Sequence, residues 1–154
     1  MRLALGKPPT VLQVEAANSY AYVASIANHL YITEQTSNIL KRRTQIFAAP
    51  ILAETHPLTK ARYLRRWARR LTEFAFSSED AIILAYGSFG LDVESQTVGV
   101  DAILTTDNRL AEHYERRLAE IKDRFHDMIV NLPEPYSRLT LPQLVTAATV
   151  LTLI

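Results

Sequence analysis

The 154-residue chain has no cysteine, four glycines and one tryptophan. Without cysteine there is no disulfide framework, no thiolate nucleophile and no zinc–thiolate centre, and the composition fits a reducing, cytoplasmic setting. Four glycines are too few for the many tight turns of an all-β sandwich or barrel. No charge sign dominates. With 17 Lys and Arg against 16 Asp and Glu the net charge is +1, so any nucleic-acid contact must come from local clustering. Long apolar runs are also missing. The apolar stretch Leu141–Ile154 falls short of the roughly 20 residues needed to cross a bilayer, and two prolines interrupt the apolar start of Met1–Leu12. There is no Gly-x-Ser-x-Gly elbow, phosphate-binding loop or dinucleotide fingerprint. The histidines His29, His56, His113 and His126 lack a helical metal spacing and read as surface or cap residues.

What is present is 48% hydrophobic residues spread along the whole length. No repeat, low-complexity tract or linker interrupts them, so one domain over 1–154 is expected, with residues 133–154 as an extension ending in an apolar helix. Val11, Val14, Ala17, Ala21, Ala24 and Ala27 recur at three and four, which predicts a helix over 10–29 with Thr10 as its cap. Leu30-Tyr31-Ile32 reads as a buried strand, and Thr33 as the cap of a second helix reaching about Gln45. Phe47–Pro57 reads as a connection. Ala61, Leu64, Ala68, Leu71 and Ala75 form one stripe and predict a third helix over 58–75. Ser77-Ser78-Glu79-Asp80 is a capping box for a short buried helix over 81–86, followed by an irregular stretch to Gly99. Ala102–Thr105 reads as a central strand, Asp107–Phe125 as an amphipathic helix, and Met128-Ile129-Val130 as a further strand. Short apolar strands alternating with helices predict an α/β fold with parallel crossovers. In such sheets ligands sit beyond the carboxyl ends of the strands, which is where Asp107 falls.

Two segments carry a family resemblance. Phe76-Ser77-Ser78-Glu79-Asp80-Ala81-Ile82-Ile83-Leu84-Ala85 resembles the PIN-domain segment in which an acid precedes a short apolar helix. Asp101-Ala102-Ile103-Leu104-Thr105-Thr106-Asp107-Asn108-Arg109-Leu110 resembles the later PIN segment, a strand ending in Thr-x-Asp. The resemblance implies a three-layer α/β/α fold with a short central, mostly parallel sheet. It also implies a metal-dependent endoribonuclease of the kind found in toxin–antitoxin pairs, with an antitoxin-like protein partner. Carried over residue by residue, it assigns Asp80 and Asp107 as catalytic metal ligands for Mg²⁺ or Mn²⁺, with Glu34 as an auxiliary ligand. Such an ion lowers the pKa of a bound water and relieves charge on the phosphoryl oxygens. The chain departs from the pattern at two of its four acids. If Arg2–Leu5 is a stub of the first strand, Gly6 or Lys7 stands at the first acid's place, and the second acid's place falls near Asn38. Each aspartate alone also fits a helix cap.

Between Lys60 and Leu71 five arginines occur without an intervening acid. On a helix Arg62, Arg65, Arg66, Arg69 and Arg70 share the face opposite the Leu64/Leu71 stripe, a surface suited to RNA phosphates. Lys41, Arg42 and Arg43 end an earlier helix. Three readings follow: a PIN-type ribonuclease, a PIN-like domain that keeps nucleic-acid or protein binding without catalysis, and an unrelated domain whose basic face is neutralised at an interface. The apolar C-terminal tail further predicts a homo-oligomer.

Overall fold

The structure, a computed structural model, describes residues 11–27, 29–33, 36, 38, 55–146 and 149. Over these residues the chain is mixed α/β. Helix α1 spans Val11–Ile26, strand β1 Leu30–Thr33 and strand β2 Thr55–Lys60. Helix α2 (Leu64–Leu71) continues through a 3-10 turn, Thr72–Phe74, to helix α3, Ser78–Phe89. The hairpin of β3 (Gly90–Asp92) and β4 (Thr97–Val98) precedes β5 (Ala102–Thr105), the long helix α4 (Asn108–Ile129) and β6 (Gln143–Thr146).

The described strands form two sheets. One has the order β1-β2-β3-β4, the other pairs β5 with β6. Pairs β1–β2 and β5–β6 are parallel, whereas β2–β3 and β3–β4 are antiparallel, so the sheets are mixed rather than mostly parallel. The core lies where α2, α3 and α4 meet: Leu64, Trp67, Ala68 and Leu71 from α2, Leu84, Ala85 and Phe89 from α3, and Tyr114, Ile121, Phe125 and Met128 from α4. The Trp67 ring is fully buried and meets Phe125 edge-on at 5.0 Å. On area bookkeeping each such large side chain contributes about 2–3 kcal/mol by leaving water.

Several sequence expectations need correction. The third helix starts at Leu64 rather than Leu58, because Thr55–Lys60 is instead a strand between β1 and β3. Pro57 is tolerated there because β3 pairs only with Thr59 and Lys60, leaving the proline level with β1 alone. Tyr63, with φ of 73°, occupies a left-handed position at the turn into α2, and Ala75, with φ of 66°, ends the following 3-10 turn in the same conformation. Met128–Val130 is not a strand. Phe125, Met128 and Ile129, spaced three and four apart, prolong the buried stripe of α4 to its end. The 87–99 stretch is the last turn of α3 plus a hairpin, whose closing bond runs from the Gly99 N–H to the Gly90 carbonyl at 2.9 Å. Gly99 sits at φ of 86°, where a side chain would be strained. Within the apolar C-terminal stretch, 143–146 is strand rather than helix, and Thr149 alone beyond it is described as helical. The second helix is seen only at Thr36 and Asn38, with Thr33 capping it through Oγ1, which accepts the Thr36 N–H at 3.2 Å. Thr10, the Arg2–Leu5 stub, Lys41, Arg42 and Arg43 lie outside the described residues.

Candidate nucleic-acid interface

Helix α3 positions the first of the expected acids. Ser77 Oγ accepts the Asp80 N–H at 3.1 Å, so the Ser77 half of the capping box read from the sequence forms, and Asp80 sits in the first turn, half-buried. Asp107 follows β5 and caps α4: its Oδ1 accepts the Leu110 N–H at 3.1 Å, while its own N–H donates to Thr105 Oγ1 at 3.1 Å. Both acids therefore serve as helix-start residues, where a negative charge also suits the helix dipole.

The Val100 N–H donates to the Gly87 carbonyl at 2.8 Å and the Ile103 side chain lies against the same glycine, so β5 packs on the last turns of α3. Just before the start of α3, His113 in α4 packs edge-on against Phe76 at 4.6 Å, and its Nε2 is 2.6 Å from the Phe74 carbonyl. Glu34 lies outside the described residues. Among the described residues no group of three or more His, Asp or Glu side chains is gathered to hold a metal ion.

Helix α2 is sharply two-sided. Leu64, Trp67, Ala68 and Leu71 are buried, whereas Arg65, Arg66 and Arg69 are exposed, as is Arg62 before the helix, and Arg70 is half-exposed. The ion pairs among the described residues join His56 to Glu94, Arg117 to Glu120, Arg124 to Glu73 and Arg138 to Glu134. None of the five arginines of this face takes part. The Arg62 guanidinium lies over the Tyr63 ring at 5.0 Å. Lys60, Arg62, Arg65 and Arg66 line an open depression around Tyr63. Tyr63 is no stacking platform, because Tyr136 packs edge-on against it at 5.0 Å and Arg62 covers it.

Sequence reasoning missed a second polar cluster. Tyr31 on β1 donates its hydroxyl to Asp92 Oδ2 at 3.2 Å, and Asp92 Oδ1 accepts the N–H groups of Glu94 (3.0 Å) and Ser95 (3.4 Å). Burial pushes the Asp92 carboxyl up, but the hydrogen bonds from Ser95, Tyr31 and Glu94 outweigh it and hold the group below its usual range. Burial and the same carboxylate push the Tyr31 phenol up. Burial likewise raises Tyr114, whose hydroxyl donates to the Pro142 carbonyl at 2.9 Å and ties α4 to the entry of β6. Tyr31 and Asp92 are 61 residues apart, a separation that no local pattern spans, so no sequence signal marks the pair.

No helix among the described residues is long and apolar enough to cross a membrane. Comparison of the chain with protein families, with curated proteins and with solved structures finds no match.

Proposed function

We propose that this chain is a nucleic-acid-binding α/β domain of PIN-like arrangement, engaging RNA through the arginine face of α2. One observation carries the reading: Arg62, Arg65, Arg66, Arg69 and Arg70 form a surface to which no described acid is paired. Unpaired cations on a neutral protein are a local field, and each one that meets a phosphate releases a counterion. Arg65 and Arg69 are one helical turn apart, about 6 Å along the axis, close to the spacing of adjacent phosphates on a strand. With Trp67 buried and Tyr63 covered, the surface offers charge without base stacking, so it recognises the backbone rather than a sequence.

A second reading is a Mg²⁺- or Mn²⁺-dependent endoribonuclease using Asp80 and Asp107, supported by the position of each acid at a helix start, with Asp107 directly beyond the carboxyl end of β5. Mg²⁺ keeps several waters and often uses one or two protein carboxylates, so a pair of aspartates suits it. A three-layer PIN-like arrangement is part of both readings, and an antitoxin-like protein covering the basic face belongs to the second. The test separates the two. Gel-shift assays with a panel of single-stranded and structured RNAs are expected to show binding by wild type and by Asp107→Asn, and weakened binding in Arg65→Gln/Arg66→Gln/Arg69→Gln. Mg²⁺- or Mn²⁺-dependent cutting that Asp107→Asn abolishes selects the nuclease. Absence of RNA binding by the wild type refutes the proposal.

A further inference from the structure

Strands β1 and β2 bring three rings together at a place distinct from the arginine face. Tyr31 and His56 are register partners across the parallel pair, and His29, two residues before Tyr31, falls on the same side. The ring centroids are 6.2 Å apart for His29 and Tyr31, 6.3 Å for His29 and His56, and 6.1 Å for Tyr31 and His56. Glu94 Oε2 lies 3.7 Å from His56 Nδ1. Asp92, only 7% exposed, stands behind Tyr31 with its carboxylate held by three donors. No described Lys or Arg forms an ion pair with Asp92 or Glu94. Two imidazoles thus lie edge-on to one another, with the Glu94 carboxylate beside one of them and no described Lys or Arg paired to it, a set with affinity for a cation rather than for an anion.

We propose that His29 and His56 form a two-imidazole site for a first-row transition-metal cation such as Zn²⁺ or Ni²⁺. Imidazole nitrogen suits these metals, whereas Mg²⁺ and Ca²⁺ take oxygen. With a metal–nitrogen bond of about 2.1 Å and a ring nitrogen about 1.1 Å from its centroid, two imidazoles on one tetrahedral ion have centroids about 5 Å apart. The 6.3 Å observed closes to that separation by about 1 Å of ring movement, which the exposed His29 allows. Glu94, 3.7 Å from Nδ1 of His56, needs only a small side-chain movement to take that ring N–H and leave Nε2 for the metal, the outer-shell pattern of metal-bound histidines. Glu94 is a positioning residue in this arrangement, and water fills the remaining coordination places. The site is correspondingly weaker than a closed four-ligand structural centre, consistent with the lack of any three-residue ligand group among the described residues. The ion would cross-link β1 to β2 and, through Glu94, to the β3–β4 turn. Lys60, at the other end of β2, is four residues from His56, about 13 Å along the strand, so the inference does not depend on the RNA-binding reading.

The test is calorimetric titration of the untagged full chain with Zn²⁺, Ni²⁺ and Mg²⁺, alongside thermal melts in the same metals. Expected are one Zn²⁺ or Ni²⁺ per chain, a melting temperature raised by those ions and unmoved by Mg²⁺, and at least about tenfold weaker binding in both His29→Gln and His56→Gln. His113→Gln and His126→Gln retain wild-type affinity. Glu94→Gln weakens binding by about tenfold, the lower edge of outer-shell effects. Absence of Zn²⁺ and Ni²⁺ binding by the wild type overturns the proposal, as does wild-type affinity in the folded His29→Gln/His56→Gln double variant, with circular dichroism reporting the fold. Wild-type affinity in Glu94→Gln removes that residue's orienting role.

Discussion

Gly87→Ala is a substitution whose sign tests the packing of α3 against the second sheet. Gly87 lies in the last turns of α3, so a Cβ there should improve helix propensity by up to about 1 kcal/mol if nothing else changed. A Cβ built at that position, however, meets Ile103 Cδ1 at 2.9 Å and overlaps the Pro142 ring. The isoleucine methyl is the end of a flexible side chain and can turn away. The proline ring cannot, because its carbonyl is fixed by the Tyr114 hydroxyl and the next residue's N–H donates to the Asp101 carbonyl at 2.9 Å. Overpacking of this kind costs about 1–3 kcal/mol, which exceeds the propensity gain. The expected net is a loss of roughly 1–2 kcal/mol, or a melting temperature lower by about 2–8 °C for a domain this size.

The assay is urea denaturation of wild type, Gly87→Ala, Pro142→Ala and the double variant, followed by circular dichroism. If the clash is with the proline ring, Gly87→Ala costs less in the Pro142→Ala background than in wild type, with a coupling of about 0.5–3 kcal/mol. A stabilised Gly87→Ala, or purely additive costs, would refute the close approach of α3 to β5 and to Pro142 at the entry of β6.

Other expectations are simpler. Ser77→Ala should lower stability by about 1 kcal/mol through loss of the bond to the Asp80 N–H, measured by chemical denaturation. Trp67→Ala removes a fully buried ring packed against Phe125 and should cost about 3–5 kcal/mol, enough to shift the urea midpoint markedly or unfold the chain. The carboxyl of Asp92 is held below its usual 3.8 by its hydrogen bonds, so it contributes stability that is present above that pH and lost as pH falls through the folded value. Melts between pH 7 and pH 2 should therefore show a steeper acid loss for wild type than for Asp92→Asn, and an equal slope would contradict the assignment.

Local chemistry was legible in the sequence wherever it acts over three or four residues. The Ser77 cap, the Asp107 cap and the two-sided α2 form as their patterns predict, and Ala102–Thr105 is a strand, although not a central one: β6 is its one partner among the described residues. Long-range pairing was not legible. Thr55–Lys60 carries a proline and no alternation strong enough to mark a strand, and it becomes one because β1 and β3 supply partners. Met128–Val130 is apolar enough for a strand, but its spacing relative to Phe125 extends a helix that already has a face to bury. At the candidate site the cap residues could be read one by one, whereas the packing of β5 against Gly87 of α3 joins residues that no local pattern links. The cluster of His29, Tyr31, His56, Asp92 and Glu94 draws on three separate strands and turns, so no window of sequence contains it.

The central claim is that the arginine face of α2 binds nucleic-acid phosphates. Its most direct test is the salt dependence of RNA affinity, measured by fluorescence anisotropy of a labelled single strand between low and physiological salt. Each phosphate-paired cation contributes about 0.7 to the slope of log affinity against log salt on a single strand, so Arg65→Gln/Arg66→Gln/Arg69→Gln should flatten it by about 2. Because these side chains are exposed and unpaired among the described residues, the triple variant should keep wild-type stability within about 0.5 kcal/mol per site. A flattened slope in a fully folded variant is the predicted result. Binding with an unchanged slope, or no binding by the wild type, would contradict it.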